Sequence, residues 1–128
     1  MKIKIVSILD LNSLYEKLKQ NTSLSIKTKF QLNRLFLEIA PHVEFYKNEL
    51  NLLVQKYAAR DDNNEIITTD TGISIQKENI EEFSKRMFEL QDTEVEISEY
   101  SFSEADFDKA SDEITVTDLM TLMPFIKE

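Results

Sequence analysis

The chain contains no cysteine and no tryptophan, and it has only one glycine, two prolines and one histidine in 128 residues. Without cysteine, disulfide bonds, thiolate metal sites and cysteine nucleophiles are excluded. A single glycine excludes the phosphate-binding loops of the Walker and dinucleotide-binding types, because each of them needs several glycines at fixed spacing. A single histidine leaves no pair of imidazoles for a zinc site. The common sequence signatures of enzymes are therefore missing.

Long apolar runs are missing as well. The run at residues 5–9, which Ser7 interrupts, is too short for the apolar part of a signal peptide, and no later stretch could span a bilayer. We therefore expect an intracellular protein that does not bind membranes. The length suits one core, and the chain has no Gly/Pro/Ser-rich linker, so we predict a single domain over residues 1–128.

Charges of opposite sign are separated along the chain. Residues 1–60 contain ten Lys/Arg and five Asp/Glu, whereas residues 61–128 contain five Lys/Arg and nineteen Asp/Glu, and the net charge is −9. A phosphate backbone requires a net basic face, which argues against direct nucleic-acid binding by the whole molecule. The separation suits docking of the acidic half onto a basic protein surface, head-to-tail self-association, or simple solvation of a small domain.

The first half of the chain predicts one strand and two helical regions. Residues 2–9 alternate at first and are rich in β-branched side chains, which predicts a strand. Asp10 or Asn12 could cap a short helix after it. Over residues 25–60 the apolar positions recur at intervals of three or four, so we predict one bent helix or a helical hairpin, with the kink or break close to Pro41.

The second half predicts a hairpin, two helices and a further strand. Short β-branched runs on either side of residues 70–72 predict a β-hairpin, and residues 77–91 have the pattern of an amphipathic helix. Residues 94–102 predict a strand that pairs with the basic opening strand, because opposite charges face each other across a ladder. The predicted fold class is therefore α+β, with a bent helix or helical hairpin packed on a small, mainly antiparallel sheet.

The C-terminal residues combine acidic and methionine-rich segments. Residues 103–113 read as an acidic loop, and Thr117 could cap a short helix that stops before Pro124. The sequence LMTLMPFI, which contains Met120 and Met123, is a candidate docking segment, because methionine side chains adapt to irregular grooves.

The triplet Asp70-Thr71-Gly72 is the one that aspartic proteases carry at the catalytic carboxylate. Those enzymes need two such loops facing each other, so that two carboxylates share a proton, and an apolar strand precedes each loop. Here Thr68 and Thr69 precede Asp70, and the flanking helical patterns do not fit that fold. We predict instead a hairpin turn in which Gly72 provides a positive φ.

No metal site and no catalytic residue is predicted. Residues 61–65 match the first, third and fifth positions of a calcium loop, but Ile66 stands where glycine is needed and Gly72 where a bidentate glutamate is needed. His42 has no serine or cysteine partner in any recognisable motif. We therefore expect a protein without enzyme activity and without a cofactor.

The order in which the sequence features follow one another is informative about the protein family. A lysine-rich first strand is followed by LNRLFLEIAPHVEFYKNELNLLVQKYAARDDNNE, a hairpin, FSKRMFELQDTEVEI and ITVTDLMTLMPFI, and the most specific parts are LLVQKYAARDD and ELQDTEVEI. Over most of its length the chain resembles an uncharacterised family of small proteins encoded by tailed phages and prophages of Gram-positive bacteria. The resemblance implies a phage context and the host cytoplasm, and it implies no activity.

Charge separation and resemblance together lead to a functional expectation. We expect a non-enzymatic phage accessory protein that binds and occludes another protein, a host factor or defence component, through an acidic surface. The residues expected to form that surface are Asp61, Asp62, Glu65, Asp70, Glu104, Asp106 and Asp108. A protein partner is expected, and a homo-oligomer is compatible with the sequence.

Two alternatives stay open. One is a virion assembly protein, either a tail-assembly chaperone or a connector component, that acts through apolar helix faces and the methionine-rich C-terminus. The other is a sponge for a small anionic signal. The residues that would bind the anion are Lys2, Lys4, Lys27, Lys29 and Arg34.

Overall fold

The fold is α+β and mainly helical, as the sequence predicts. The computed structural model describes residues 1–70, 72–110 and 114–127. Its strands and helices are β1 (Lys2–Lys4), α1 (Ile5–Leu18), α2 (Ile26–Tyr57), β2 (Thr68–Thr69), β3 (Gly72–Ile73), α3 (Ile80–Asp92), β4 (Glu94–Glu96) and α4 (Val116–Leu122). Short 3-10 turns cover Lys77–Asn79, Glu104–Ala110 and Met123–Phe125. None of the described helices is both long enough and apolar enough to cross a membrane.

The chain predicted as a single domain divides into two compact units. The larger unit consists of Met1–Val43 and Glu94–Glu128, and the smaller unit consists of Glu44–Thr93. Helix α2 contributes residues to both units.

Strands β1 and β4 of the larger unit form the predicted pair in antiparallel orientation, but the strand predicted over residues 94–102 ends at Glu96. The register places Lys2 opposite Glu96 and Lys4 opposite Glu94, so opposite charges face each other as expected. The ammonium group of Met1 extends the contact, because it lies 3.0 Å from Oε1 of Glu96. The basic start of the chain is thus joined to its acidic second half.

The predicted strand over residues 2–9 is wrong beyond Lys4, because α1 begins at Ile5. The residues of α1 that are buried recur at helical spacing: Ile5, Ile8, Leu11, Leu14 and Leu18. A strand would turn half of these side chains away from the core, so burial of the whole stripe favours the helix. Asp10 and Asn12 consequently lie inside α1 and do not cap it.

Helix α2 runs without a break from Ile26 to Tyr57 and contains Pro41. Of the two predicted alternatives, the long bent helix is confirmed and the helical hairpin is wrong. The break expected at Pro41 is absent, because its ring lies on an exposed position while the neighbouring Ile39 and Val43 remain anchored in the core. Proline removes one backbone hydrogen bond from a helix and favours bending. The burial of the apolar stripe of α2 compensates for this loss and keeps the helix continuous.

The core of the larger unit is formed by apolar side chains from all of its elements. Its centre lies where α1, α2 and the C-terminal segment meet, and the side chains of Ile8, Leu122 and Phe125 are completely buried there. Tyr15 stacks on Phe36 at the edge of this core, with ring centroids 3.9 Å apart. Among the described residues, every buried side-chain nitrogen and oxygen has a hydrogen-bond partner.

The smaller unit contains the predicted hairpin and helix. Thr68 pairs with Ile73 and Thr69 with Gly72, and Gly72 has a φ of 122°, which confirms the turn assignment. Thr71 lies outside the described residues. Helix α3 with the preceding Lys77–Asn79 turn matches the predicted helix over residues 77–91.

One ring contact and one hydrogen bond attach α3 to α2 within the smaller unit. The ring of Phe83 meets the ring of Tyr57 edge to face, with centroids 6.2 Å apart. Nε2 of Gln91 donates to the hydroxyl of Tyr46 over 3.1 Å. The amphipathic stripe predicted for this helix therefore faces the C-terminal half of α2.

The C-terminal segment departs from the prediction at two places. The acidic loop expected at residues 103–113 is a 3-10 turn over Glu104–Ala110, because Phe107 and Ala110 are buried and hold the backbone against the core. Residues 111–113 lie outside the described part of the chain. The cap of α4 is Thr115 and not Thr117, since only Thr115 has the matching acid three residues later.

Candidate protein-binding groove

The predicted acidic residues fall into groups on both units. Asp61, Asp62, Glu65 and Asp70 belong to the smaller unit, and Glu104, Asp106 and Asp108 belong to the larger one. All of them are exposed except Asp106, which is half-buried. Among the described residues, no group of three or more histidine or carboxylate side chains could hold a metal ion.

Asp61 has a structural role in its own loop. Its Oδ1 atom accepts hydrogen bonds from the backbone N–H groups of Asn63, at 2.9 Å, and Glu65, at 3.0 Å. Asn64 takes a positive φ of 62° at the tip, and Arg60 donates to its carbonyl oxygen over 3.0 Å. The spacing that resembles a calcium loop is thus used to close a turn.

Asp70 lies at the exposed tip of the β2–β3 hairpin, and Asp62 and Glu65 lie in the loop before it. None of these three side chains lines any of three large clefts of the larger unit. Their predicted role in partner binding therefore stays a prediction that rests on their charge.

Glu104 and Asp108 border a groove in the larger unit, between the Glu104–Ala110 turn and α4. Its volume is about 400 Å³. The other side chains that line it are all apolar: Phe107, Ile114, Val116, Leu119, Met120, Met123 and Ile126. We call it the acidic apolar groove, because two carboxylates border an otherwise apolar surface.

One wall of the acidic apolar groove is α4, whose start is fixed by a capping box. The Thr115 hydroxyl accepts from the backbone N–H of Asp118 over 3.1 Å, and the Asp118 carboxylate accepts from the N–H of Thr115 over 3.0 Å. This start turns Leu122 into the core and leaves Met120 and Val116 on the solvent side, 64% and 76% exposed.

An ion pair also holds α4 against α1. Nζ of Lys17 lies 2.6 Å from Oδ2 of Asp118. Desolvation acts to raise the pKa of Asp118, but the hydrogen bonds from Lys17 and Thr115 together outweigh it and hold the pKa below its ordinary value. The carboxylate is therefore charged at neutral pH, and this wall of the groove keeps its position.

The opposite wall is the Glu104–Ala110 turn, which is anchored from below. Phe107 is buried and packs on Phe102, with ring centroids 5.5 Å apart. Oδ2 of Asp106 accepts from the N–H of Ser103 over 2.8 Å and thereby caps the turn. Asp106 thus supports the wall, while the exposed Glu104 and Asp108 carry the charge at its edge.

The sequence identified only part of this groove. Met120 and Met123 were expected in a docking segment and Glu104 and Asp108 in an acidic surface, and the structure brings the two sets together. Val116 and Ile114 were not foreseen. The signal that could have found Val116 is the Thr115-x-x-Asp118 spacing, which fixes where α4 begins and hence its exposed face.

The lysines assigned to an anionic signal are distributed over two elements. Lys2 and Lys4 lie in β1, opposite the acids of β4. Lys27, Lys29 and Arg34 lie in α2, where Lys29 lines one cleft, whereas Lys2 and Lys4 line a different one. The structure thus does not assemble the five residues around one pocket of the described chain.

Comparison of the chain with protein-family models, curated proteins and solved structures finds no match. The resemblance to phage-encoded proteins therefore remains a prediction. The side chains of the groove offer a partner apolar contact, two adaptable thioethers and two negative charges.

Proposed function

We propose that this protein is a non-enzymatic phage accessory protein that binds another protein through the acidic apolar groove. The observation that supports this proposal is the combination of exposed Val116, Met120 and Met123 with the carboxylates of Glu104 and Asp108 around one groove. Exposed apolar surface bordered by charge is characteristic of protein interaction sites. Binding there would occlude the matching surface of a host protein.

The partner segment that fits this groove is a basic amphipathic helix. Its apolar side chains would contact Met120 and Met123, and its lysines or arginines would pair with Glu104 and Asp108. Met120 and Met123 are each 64% exposed, so both can adapt to side chains of different shape. The acids of the smaller unit would add long-range attraction and raise the association rate.

The size of the groove supports moderate affinity. Burial of an exposed apolar side chain contributes about 1.5–3 kcal/mol, and the groove offers three that are mostly exposed: Val116, Met120 and Met123. Association itself costs about 4–15 kcal/mol, so these contacts do not suffice for tight binding. We therefore expect a dissociation constant in roughly the micromolar range or weaker, which suits a reversible inhibitor.

A designed peptide tests the proposal without knowledge of the natural partner. The probe is a fluorescein-labelled helix of leucine and lysine with one apolar face, and a peptide of the same composition in scrambled order is the control. Fluorescence anisotropy should show binding of the amphipathic peptide at roughly micromolar concentration, weaker in high salt and much weaker for the scrambled peptide.

A charge-reversal pair locates the binding site. Glu104→Lys/Asp108→Lys should weaken binding at least about tenfold, because two attractions become repulsions. Glu78→Lys/Glu81→Lys changes the net charge by the same amount on exposed acids outside the groove lining and should bind almost as the wild type does. Equal affinity of all three proteins, with unchanged circular dichroism, would show that the groove is not the site.

A further inference from the structure

A second exposed apolar patch lies at the start of α2 in the larger unit. Ile26 is 87% exposed and Phe30, one helical turn later, is 61% exposed. Both line a cleft of about 390 Å³ together with Lys19 and Lys29. We call this surface the basic apolar patch, because its apolar side chains are accompanied by lysines.

The basic apolar patch is built on a well-anchored turn. Oδ1 of Asn21 accepts hydrogen bonds from the N–H groups of Ser23, at 2.8 Å, and Leu24, at 3.0 Å, and Leu24 is buried. The hydroxyl oxygen of Ser25 accepts from the N–H of Thr28 over 3.1 Å and caps α2. Since Thr28 is also buried, Ile26 is held in place between two anchored residues, and its exposure is a property of the folded surface.

Positive charge predominates around the patch. Residues 17–37 contain five Lys/Arg and no Asp or Glu. Lys17 pairs with Asp118 and Lys19 with Glu16, at 2.6 and 2.5 Å, so part of this charge is compensated within the molecule. Lys27 lies beside the exposed Ile26 in the first turn of α2 and is itself exposed.

The acidic apolar groove has the opposite character. Its lining includes two carboxylates, Glu104 and Asp108, and no Lys or Arg. The two clefts are also similar in volume, about 390 Å³ beside the patch and about 400 Å³ in the groove. Each cleft also has a large exposed apolar side chain in its lining, Phe30 in one and Met120 in the other, so the two surfaces offer apolar contact to each other.

We propose that the basic apolar patch of one molecule binds in the acidic apolar groove of a second copy. This inference rests on the proposed function, because it uses the same groove and names a partner for it. Patch and groove are different surfaces, so the contact is heterologous and leaves each pair with one free patch and one free groove. Association therefore continues into open chains or closed rings, and it weakens as salt screens the charges.

Two variants, each lacking one surface, test the inference. Phe30→Asp places a negative charge in the patch and leaves the groove intact, and Met120→Lys places a positive charge in the groove and leaves the patch intact. By analytical ultracentrifugation, the wild type should form species larger than dimers as its concentration rises, and each variant alone should stay monomeric. An equimolar mixture of the variants should form one-to-one dimers and nothing larger, because one functional contact remains.

A matched control and a conservative variant separate loss of the contact from general effects of the substitutions. Phe88→Asp changes an equally exposed phenylalanine of the smaller unit and should associate as the wild type does. Phe30→Leu should retain association, because an apolar side chain is kept. Thermal unfolding of each variant shows whether the fold is intact. A wild type that forms only symmetric dimers, or a mixture that stays monomeric, would overturn the inference.

The leucine–lysine peptide separates failure of this inference from failure of the proposed function. Phe30→Asp should bind the peptide with the wild-type affinity, whereas Met120→Lys should bind it at least about tenfold more weakly. If the wild type binds the peptide but remains monomeric at millimolar concentration, the self-association is refuted and the proposed function of the acidic apolar groove is retained. If the wild type does neither, both proposals are wrong.

Discussion

Replacement of Tyr100 by Phe should lower the free energy of unfolding by about 1–2 kcal/mol at neutral pH. Tyr100 is buried, and its hydroxyl donates a hydrogen bond to Oε2 of Glu38, in the part of α2 that belongs to the larger unit. The N–H of Ser98 donates to the other carboxylate oxygen over 2.5 Å. The carboxylate thus joins α2 to the chain that follows β4, and Tyr100→Phe removes one of its two donors.

The magnitude follows from the charge and the exposure of the acceptor. A hydrogen bond to a charged group contributes about 1.5–3 kcal/mol. Glu38 is half-buried, so water replaces part of the lost interaction and the expected loss falls to about 1–2 kcal/mol. Desolvation acts to raise the pKa of Glu38, but the hydrogen bonds from Tyr100 and Ser98 outweigh it and lower the pKa.

The pH dependence has a defined sign at both ends of the scale. Because the pKa of Glu38 is lowered by folding, its contribution is present above the unfolded pKa and is lost as the pH falls through the folded value. Burial, followed by the hydrogen bond to Glu38, raises the pKa of Tyr100 to about 12. Its contribution is therefore complete below the unfolded value of 10.0 and is lost as the pH rises through about 12.

A double-mutant cycle measures the contact directly. Urea unfolding followed by circular dichroism, on the wild type, Tyr100→Phe, Glu38→Gln and the double variant, should give a coupling energy of about 1 kcal/mol at pH 7 and less at about pH 3. Tyr15→Phe is the comparison, because the Tyr15 hydroxyl lies 3.0 Å from an uncharged acceptor, Oδ1 of Asn33. A coupling energy below about 0.3 kcal/mol, or one that does not change with pH, would refute the reasoning.

Two further changes test the core and the long helix. Leu122→Ala should lower the free energy of unfolding by about 3 kcal/mol, because this side chain is completely buried. A loss below about 1 kcal/mol in urea titrations would show that the core is loosely packed there. Pro41→Ala should raise the free energy of unfolding by about 1–2 kcal/mol and the thermal unfolding temperature with it, because the change restores a backbone N–H in the interior of α2. A lower unfolding temperature would show that the core requires the bend.

Charge and turn patterns in the sequence were sufficient for two parts of the fold. Lysines at positions 2 and 4 and glutamates at positions 94 and 96 predicted the β1–β4 pair, and the only glycine marked the hairpin turn. The hairpin depends on neighbours along the chain, and the strand pair could be predicted because the charges of two distant segments are complementary. The boundary at Ile5 failed because its side chain satisfies both a strand pattern and a helix pattern, and only burial against the rest of the core decides between them.

The candidate site depends on contacts that no local pattern contains. Phe107 and Ile126 both line the groove although they belong to different segments of the chain. The acidic composition around Phe107 predicts a solvated loop, whereas the structure has a turn in which Phe107 is buried. The sequence alone also does not show which acidic side chains accept hydrogen bonds within the fold. Asp61 and Asp106 accept backbone hydrogen bonds, whereas Glu104 occupies the edge of the groove.

The carboxylate of Asp118 has consequences for how related chains can vary. It accepts from the backbone of Thr115 and pairs with Lys17, so one short side chain both starts α4 and attaches it to α1. A longer or uncharged residue at position 118 would satisfy at most one of these partners. We therefore expect positions 17, 115 and 118 to change together during evolution, and a relative that loses the lysine should also have a different start of its last helix.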